Sequence, residues 1–184
     1  NFRGPRFGVE GLRERLGVDD RPLLMTALKP MGLANENIAK IAYECALGGI
    51  DIVKDDHGLA NQPIAAFEER VRLCSAAVAR ANVETGDRSV YAPNITGPAR
   101  EIDARARFAK QQGAGAVLYI AGLGGFDAMR TLADDDDFGL PIIAHPAFYG
   151  SFVTSPDNGF SHYALYGQLQ RLAGADSSIY PNFG

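Results

Sequence analysis

The chain has no apolar run approaching the ~20 residues of a membrane span, and no signal peptide opens it. An excess of basic charge is missing too. Against 22 Asp+Glu stand 18 Lys+Arg, a formal net charge of −4, so nucleic acid and membrane surfaces are not expected as partners. Any anion site has to be local. Cysteine is scarce, with only Cys45 and Cys74, each inside a helical pattern. Neither stands at a strand end, which argues against a catalytic thiol. Buried free thiols in a cytoplasmic protein are the expectation. What is present is a chain of 184 residues, 46% hydrophobic. That suffices for one domain with a sizeable core and is too apolar for a disordered segment.

Short apolar runs alternate with amphipathic stretches. Runs at 23–28, 50–53, 89–93, 116–120, 141–144 and 177–180 predict strands. The patterns at 35–47, 63–84, 98–112, 126–138 and 160–173 predict helices. Gly48-Gly49, Gly86, Gly113 and Gly174 follow helices, where a left-handed residue ends the last turn. Pro98 suits the start of the third helix. Apolar strands alternating with helices mean a parallel sheet covered by helices.

A doubly wound sheet and a TIM (β/α)8 barrel both fit that pattern. The polar residues favour the barrel. Lys29, the stretch Lys54-Asp55-Asp56-His57, Asn94, His145 and Asn182 all come at or just past strand ends. A barrel gathers such residues from many strands onto one face, whereas an open sheet concentrates them at one switch point. Six strand-like runs and five helices are visible, fewer than the eight units of a closed barrel. The expectation is a partial barrel domain over residues 1–184, lacking its last units.

Lys54-Asp55-Asp56-His57 sets a lysine, two carboxylates and an imidazole at the end of one strand. Such crowding is costly unless something pairs with it, and a divalent cation is an effective partner. A lysine amine that takes up carbon dioxide becomes a carbamate, an oxygen ligand that can join Asp56 in holding magnesium. The alternative is a salt-bridge cluster in which Asp55 pairs to a neighbouring helix. Lys29, before Pro30, is either a base or a solvated loop lysine. His145 is either a substrate contact or a buried hydrogen-bonding residue. Gly122-Leu123-Gly124-Gly125 is a weak candidate for anion binding. The run Asp134-Asp135-Asp136-Asp137 reads as a solvated acidic patch late in a helix.

The segments Gly4-Pro5-Arg6-Phe7-Gly8, Arg21-Pro22-Leu23-Leu24, Leu28-Lys29-Pro30, Gly48-Gly49-Ile50-Asp51, Lys54-Asp55-Asp56, Asn61-Gln62-Pro63 and Glu84-Thr85-Gly86 resemble, in this order, the barrel domain of the RuBisCO large chain. The resemblance spans nearly the whole chain. It implies that a small N-terminal α+β domain and the last barrel units are absent here. It also implies that Lys29 handles the enolisation proton, Lys54 is carbamylated, Asp56 ligates Mg2+, and His145 is the active-site histidine of strand five. Asn94 is similar to the polar residue ending strand three, and members assemble as homodimers or higher homo-oligomers.

Departures from the family pattern narrow what is implied. His57 stands where the family's Lys-Asp-Asp-Glu has its third ligand, a weaker partner for magnesium. Pro146 replaces a phosphate-gripping arginine, Met31-Gly32 closes up the turn that holds a second lysine, and Ile179-Tyr180-Pro181-Asn182 replaces the strand-six histidine region. Each lost charge-assisted bond to a phosphate is worth ~1.5–3 kcal/mol. The resemblance therefore points to a RuBisCO-like (form IV) protein acting on a sugar with one phosphate, with Tyr180 and Asn182 beside the substrate. The implied reaction is magnesium-dependent enolisation or isomerisation of a phosphorylated keto-sugar such as 5-methylthioribulose 1-phosphate. The rivals are decarboxylation, transcarboxylation or hydrolysis of a 3-oxo sugar-acid phosphate, genuine ribulose-bisphosphate carboxylation, and a non-catalytic barrel that binds a phosphometabolite.

Overall fold

A computed structural model of the chain describes residues 2–155, 157 and 159–180. Six short parallel strands follow one another: β1 (Met25–Leu28), β2 (Ile52–Asp55), β3 (Val90–Ala92), β4 (Val117–Tyr119), β5 (Ile142–Ala144) and β6 (Ser177–Ser178). They form two three-stranded sets, joined by a parallel bridge between Asn94 and Leu118. Strand order is therefore chain order. Among the described residues seven α-helices accompany them: α1 (Gly8–Leu16), α2 (Asn35–Leu47), α3 (Phe67–Thr85), α4 (Ala99–Gln111), α5 (Ala121–Gly124), α6 (Phe126–Asp134) and α7 (Gln170–Leu172). This is the expected α/β arrangement, a partial barrel. Among the described residues no helix is long and apolar enough to cross a membrane.

The sheet has two buried faces, which is why its strands read as continuous apolar runs. On the inner face Ile52, Ala92, Ala116, Leu118 and Ile143 pack together, with Leu16 and Val18 from the end of α1 and beyond. On the outer face Val53, Tyr91, Val117, Tyr119 and Ile142 meet the helices, whose stripes include Ile38, Ala42 and Ala46 of α2 and Val71, Cys74 and Val78 of α3. Both cysteines are free, Cys74 buried and Cys45 half-buried. Burial pushes the Cys74 thiol up, which leaves it inert.

Where boundaries depart from the sequence reading, local chemistry accounts for it. β2 starts later and runs to Asp55 because Ile50 N–H still bonds Cys45 O in the cap of α2, and Gly49 reverses the chain at φ +87°. Gly48 itself has φ −81°, so of the two glycines only the second is left-handed. α3 begins at Phe67 because Gln62 and Ala65 bridge in a tight turn and Asn61 Oδ1 accepts the Phe67 N–H. The fifth predicted helix is instead a π-helical stretch, Tyr163–Leu169, running into α7. α6 stops at Asp134, and the acidic run after it is not a free solvated patch. Asp135 pairs with Arg107 at 2.7 Å, and Asp136 pairs with Arg6 at 2.8 Å and Arg3 at 3.2 Å.

Two carboxylates just ahead of strands tie the N-terminal segment to the sheet. Asp51 holds Arg21 through two bonds of 2.7 and 2.8 Å and accepts Leu24 N–H at 2.7 Å. Asp176 accepts Phe7 and Gly8 N–H at 2.6 and 2.9 Å and Ile142 N–H at 2.9 Å. Asp176→Ala strands three amide donors at a buried position, so we expect it to lower unfolding free energy by about 3 kcal/mol or more. Urea denaturation measures this, and a change below 1 kcal/mol would show that water replaces the carboxylate.

Candidate active site

Residues alternate across β2, so Lys54 shares the inner face with Ile52, and Asp55 shares the outer face with Val53. Lys54 lies level with Ala27 of β1 and Ala92 of β3. It is 7% exposed, and its Nζ donates to Asp55 O at 3.1 Å. Burial lowers its pKa, aided by Lys29 and opposed by Asp56 and Asp55. A buried amine with one hydrogen bond and a depressed pKa is available as a nucleophile toward carbon dioxide.

Asp56 starts the loop after β2. Its Oδ1 accepts Gly58 N–H at 2.9 Å, and its Oδ2 pairs with Lys29 Nζ at 3.1 Å. Burial works against its charge, but Gly58, Lys29 and His57 together hold it below the usual carboxylate range. His57 Nδ1 is 3.6 Å from Asp56 Oδ1, and its ring stacks on His145 with centroids 4.6 Å apart. Lys29, Lys54, Asp56, His57 and His145 are thus brought together from β1, β2 and β5.

His145 Nδ1 accepts the Ala147 backbone N–H at 3.1 Å. In the neutral ring the proton is then on Nε2. Burial pushes the pKa of His145 down to about 4, with the Lys54, His57 and Lys29 charges adding to the effect. His145 is therefore a neutral donor, suited to a carbonyl or enolate oxygen and not to metal ligation through Nδ1. Phe148, three residues on, is held at φ +77°, a conformation that costs energy in a side-chain-bearing residue and marks this loop as specialised.

Other candidates fall elsewhere. Asn94 is fully buried. Its amide donates to His57 O at 2.9 Å, its side-chain oxygen accepts Thr96 N–H, and its backbone N–H bonds Asp55. These bonds tie the end of β3 to the end of β2 and the loop after it. Tyr180 is on the outer face, packed edge-on against Tyr166 at 5.3 Å, whereas Ile179 is the strand-six residue that packs against the inner cluster. Two-residue alternation put Tyr180 on the helix side. Asn182 lies outside the described residues. In the glycine loop at 122–125, Leu123 and Gly124 N–H bond Ile120 O and Gly125 N–H bonds Ala121 O, so these three amides are already used inside the loop.

Arg70 and Tyr91 were not singled out from the sequence. Arg70 Nε bonds Asp55 Oδ2 at 3.1 Å, and Tyr91 OH bonds Asp55 Oδ1 at 2.7 Å. The expected pairing of Asp55 to a neighbouring helix is thus present, alongside the cluster and not in place of it. The signal was there: Arg70 lies in the apolar stripe of Phe67, Val71, Cys74 and Val78, and a buried arginine requires a buried acid.

As they stand, these side chains do not make a divalent-cation site. Among the described residues no three His, Cys, Asp or Glu groups converge for a metal, Asp55 is committed to Arg70, and two lysine amines crowd Asp56. Converting the Lys54 amine to a carbamate changes the donor set to carbamate oxygen, Asp56 and His57. That set fits a cation taking mixed oxygen and nitrogen ligands.

The low pKa of His145 has a measurable consequence. Between the ordinary value of 6.5 and about 4 the unfolded chain binds a proton that the folded one does not, so stability falls as pH is lowered through that window. We expect 15N NMR to show His145 neutral and Nε2-protonated at pH 6. A charged ring at that pH would contradict the assignment.

The family model of the ribulose bisphosphate carboxylase large chain, catalytic domain, matches residues 8–180. A 2,3-diketo-5-methylthiopentyl-1-phosphate enolase of Bacillus pumilus is 43% identical over 97% of this chain and 44% of its own length. The chain thus spans less than half of that relative. A rubisco-like protein from Alicyclobacillus acidocaldarius superposes with a TM-score of 0.92 at 43% identity, over 99% of this chain and 47% of the other. The dimeric archaeal rubisco of Hyperthermus butylicus gives 0.89 at 34% identity, over 95% and 41%. The chain belongs to the ribulose bisphosphate carboxylase large-chain family and is most like its RuBisCO-like (form IV) members.

Proposed function

We propose that the protein enolises a phosphorylated ketone, with a 2,3-diketo-5-methylthiopentyl 1-phosphate as the first substrate to test. The observation that carries this reading is the inner-face cluster of a buried amine, an ionised carboxylate paired to a second amine, and a neutral imidazole donor. Enolisation needs little more: a base beside a carbon next to a carbonyl, and charge stabilisation at the carbonyl oxygen. The identity to named enolases supports the diketone over 5-methylthioribulose 1-phosphate.

In the proposed reaction the Lys29 amine takes the proton from the carbon next to the carbonyl. The C–H electron pair becomes the carbon–carbon double bond, the carbonyl π pair moves to the oxygen, and protonation of that oxygen gives the enol. Lys29 is ion-paired with Asp56 in the structure, so before it acts as the base it has to leave that pair and give its ammonium proton to solvent. His145 Nε2–H is suited to hydrogen-bond the oxygen on which charge builds. The Lys54 carbamate, Asp56 and His57 would hold Mg2+. Magnesium bound there would polarise the carbonyl and stabilise the enolate. Assembly as a homodimer or higher homo-oligomer, in the cytoplasm, is part of the same reading.

Assay of the full-length protein with this diketone in D2O should show enol formation and deuterium uptake, and Lys29→Met should slow turnover by a factor of about 100 to 10,000. Carboxylation of ribulose bisphosphate, with the diketone untouched, would overturn the reading. His57→Glu replaces an imidazole with a harder ligand, so Mg2+ affinity measured by calorimetry in bicarbonate should rise about tenfold. Unchanged affinity would remove His57 from the ligand set.

A further inference from the structure

Arg70 approaches β2 from the outer, helix side, yet its contacts converge on the segment that carries the chemistry. It is completely buried in the first turn of α3. Besides Asp55, it donates to Ala65 O at 2.6 Å, Ala60 O at 2.8 Å and Leu59 O at 3.2 Å. One planar guanidinium thus binds the end of β2 and both arms of the loop that follows it. Asp55 completes the grip, receiving Tyr91 OH from β3 at 2.7 Å and Asn94 N–H at 2.9 Å.

The consequence follows from alternation along the strand. Pinning the Asp55 side chain outward obliges its neighbours Lys54 and Asp56 to turn to the inner face. The carbonyl that receives the Lys54 amine belongs to Asp55 itself. The loop clamped through Leu59, Ala60 and Ala65 is the one in which Gly58 N–H holds Asp56 Oδ1. A charge buried only for stability is a poor choice, since apolar replacement of a buried pair is often neutral or stabilising. We infer that Arg70, acting through Asp55, is a positioning residue that sets the Lys54 amine and the Asp56 carboxylate in their reactive orientation. This rests on the enolisation reading only for its activity readout, because the orientation of Lys54 can be measured by itself.

The test is made on the full-length protein with the paired change Arg70→Met and Asp55→Leu, which removes both charges and keeps an apolar filling. Folding is checked by thermal unfolding. Mass spectrometry follows the rate at which an amine-acylating reagent labels Lys54, and 13C NMR with labelled bicarbonate follows its carbamate. The paired variant should label Lys54 more than tenfold faster, and its carbamate signal and kcat should drop more than tenfold with a smaller change in KM. Wild-type labelling in the folded variant overturns the inference. If wild-type protein forms no carbamate, the reading of the metal site fails, and the labelling rates alone decide the role of Arg70. Should the pair not fold, Arg70→Lys decides the question. It keeps the charge but loses the planar fork, so its labelling and kcat should fall between wild type and a fully released site. Wild-type values in both would again overturn the inference.

Discussion

The buried ion pair between Asp55 and Arg70 is the interaction on which the rest of this structure depends. Both side chains are fully buried, a placement costly unless every donor and acceptor is met. Burial alone drives the carboxyl pKa of Asp55 upward. Its Oδ2 nevertheless receives two N–H groups and its Oδ1 a phenol, a setting made for a carboxylate. Arg70 stays cationic against its own burial because of the Asp55 charge. One pair thus joins β2, β3, α3 and the loop between them, and the chemical residues on either side of Asp55 inherit their direction from it.

The opposite ends of the strands are held by a second use of carboxylates. Asp51 precedes β2 and accepts an amide just ahead of β1, while Asp176 precedes β6 and accepts the first amide of β5. Each also fastens the N-terminal segment, Asp51 through Arg21 and Asp176 through Phe7 and Gly8. These carboxylates satisfy amides that no neighbouring strand can reach. Asp55 does comparable work near the carboxyl ends, but outward, toward the helices. The labour is divided as in other barrels, with stability at the strand starts and chemistry at the strand ends. Asp56, lying inward at a strand end, is the acid left for chemistry.

Much of this was legible in the sequence, for identifiable reasons. The strands and α2 were read because burial on both faces imposes continuous apolar runs and burial on one face imposes helical spacing. The cluster of Lys29, Lys54, Asp56, His57 and His145 was readable because charged residues at the ends of apolar runs have few structural explanations. Tyr180 was misplaced because a one-residue step reverses the face of a strand, and the end of β6 could not be fixed to that accuracy. The hydrogen bonds that bury Asn94 were not legible, because sequence shows the type of a polar residue and not which backbone groups it meets. The helix α1 escaped notice because only Leu12 and Leu16 of its nine residues are buried. The π-helical stretch has no signature separable from an ordinary helix.

Charge balance on the inner face explains why the unmodified cluster makes no metal site and still reads as one. Two lysine amines face one available carboxylate, whose two oxygens are taken by Lys29 and Gly58. Burial lowers the pKa of Lys54 and the Lys29 charge adds to that, against the opposing pull of Asp56 and Asp55. On the proposed reading, a carbamate there would reverse the sign of the problem, leaving two anions against the single charge of Lys29. A divalent cation then becomes the partner that restores balance. Carbamate and metal would each be unfavourable alone at this depth and would stabilise one another together, so their binding should be coupled.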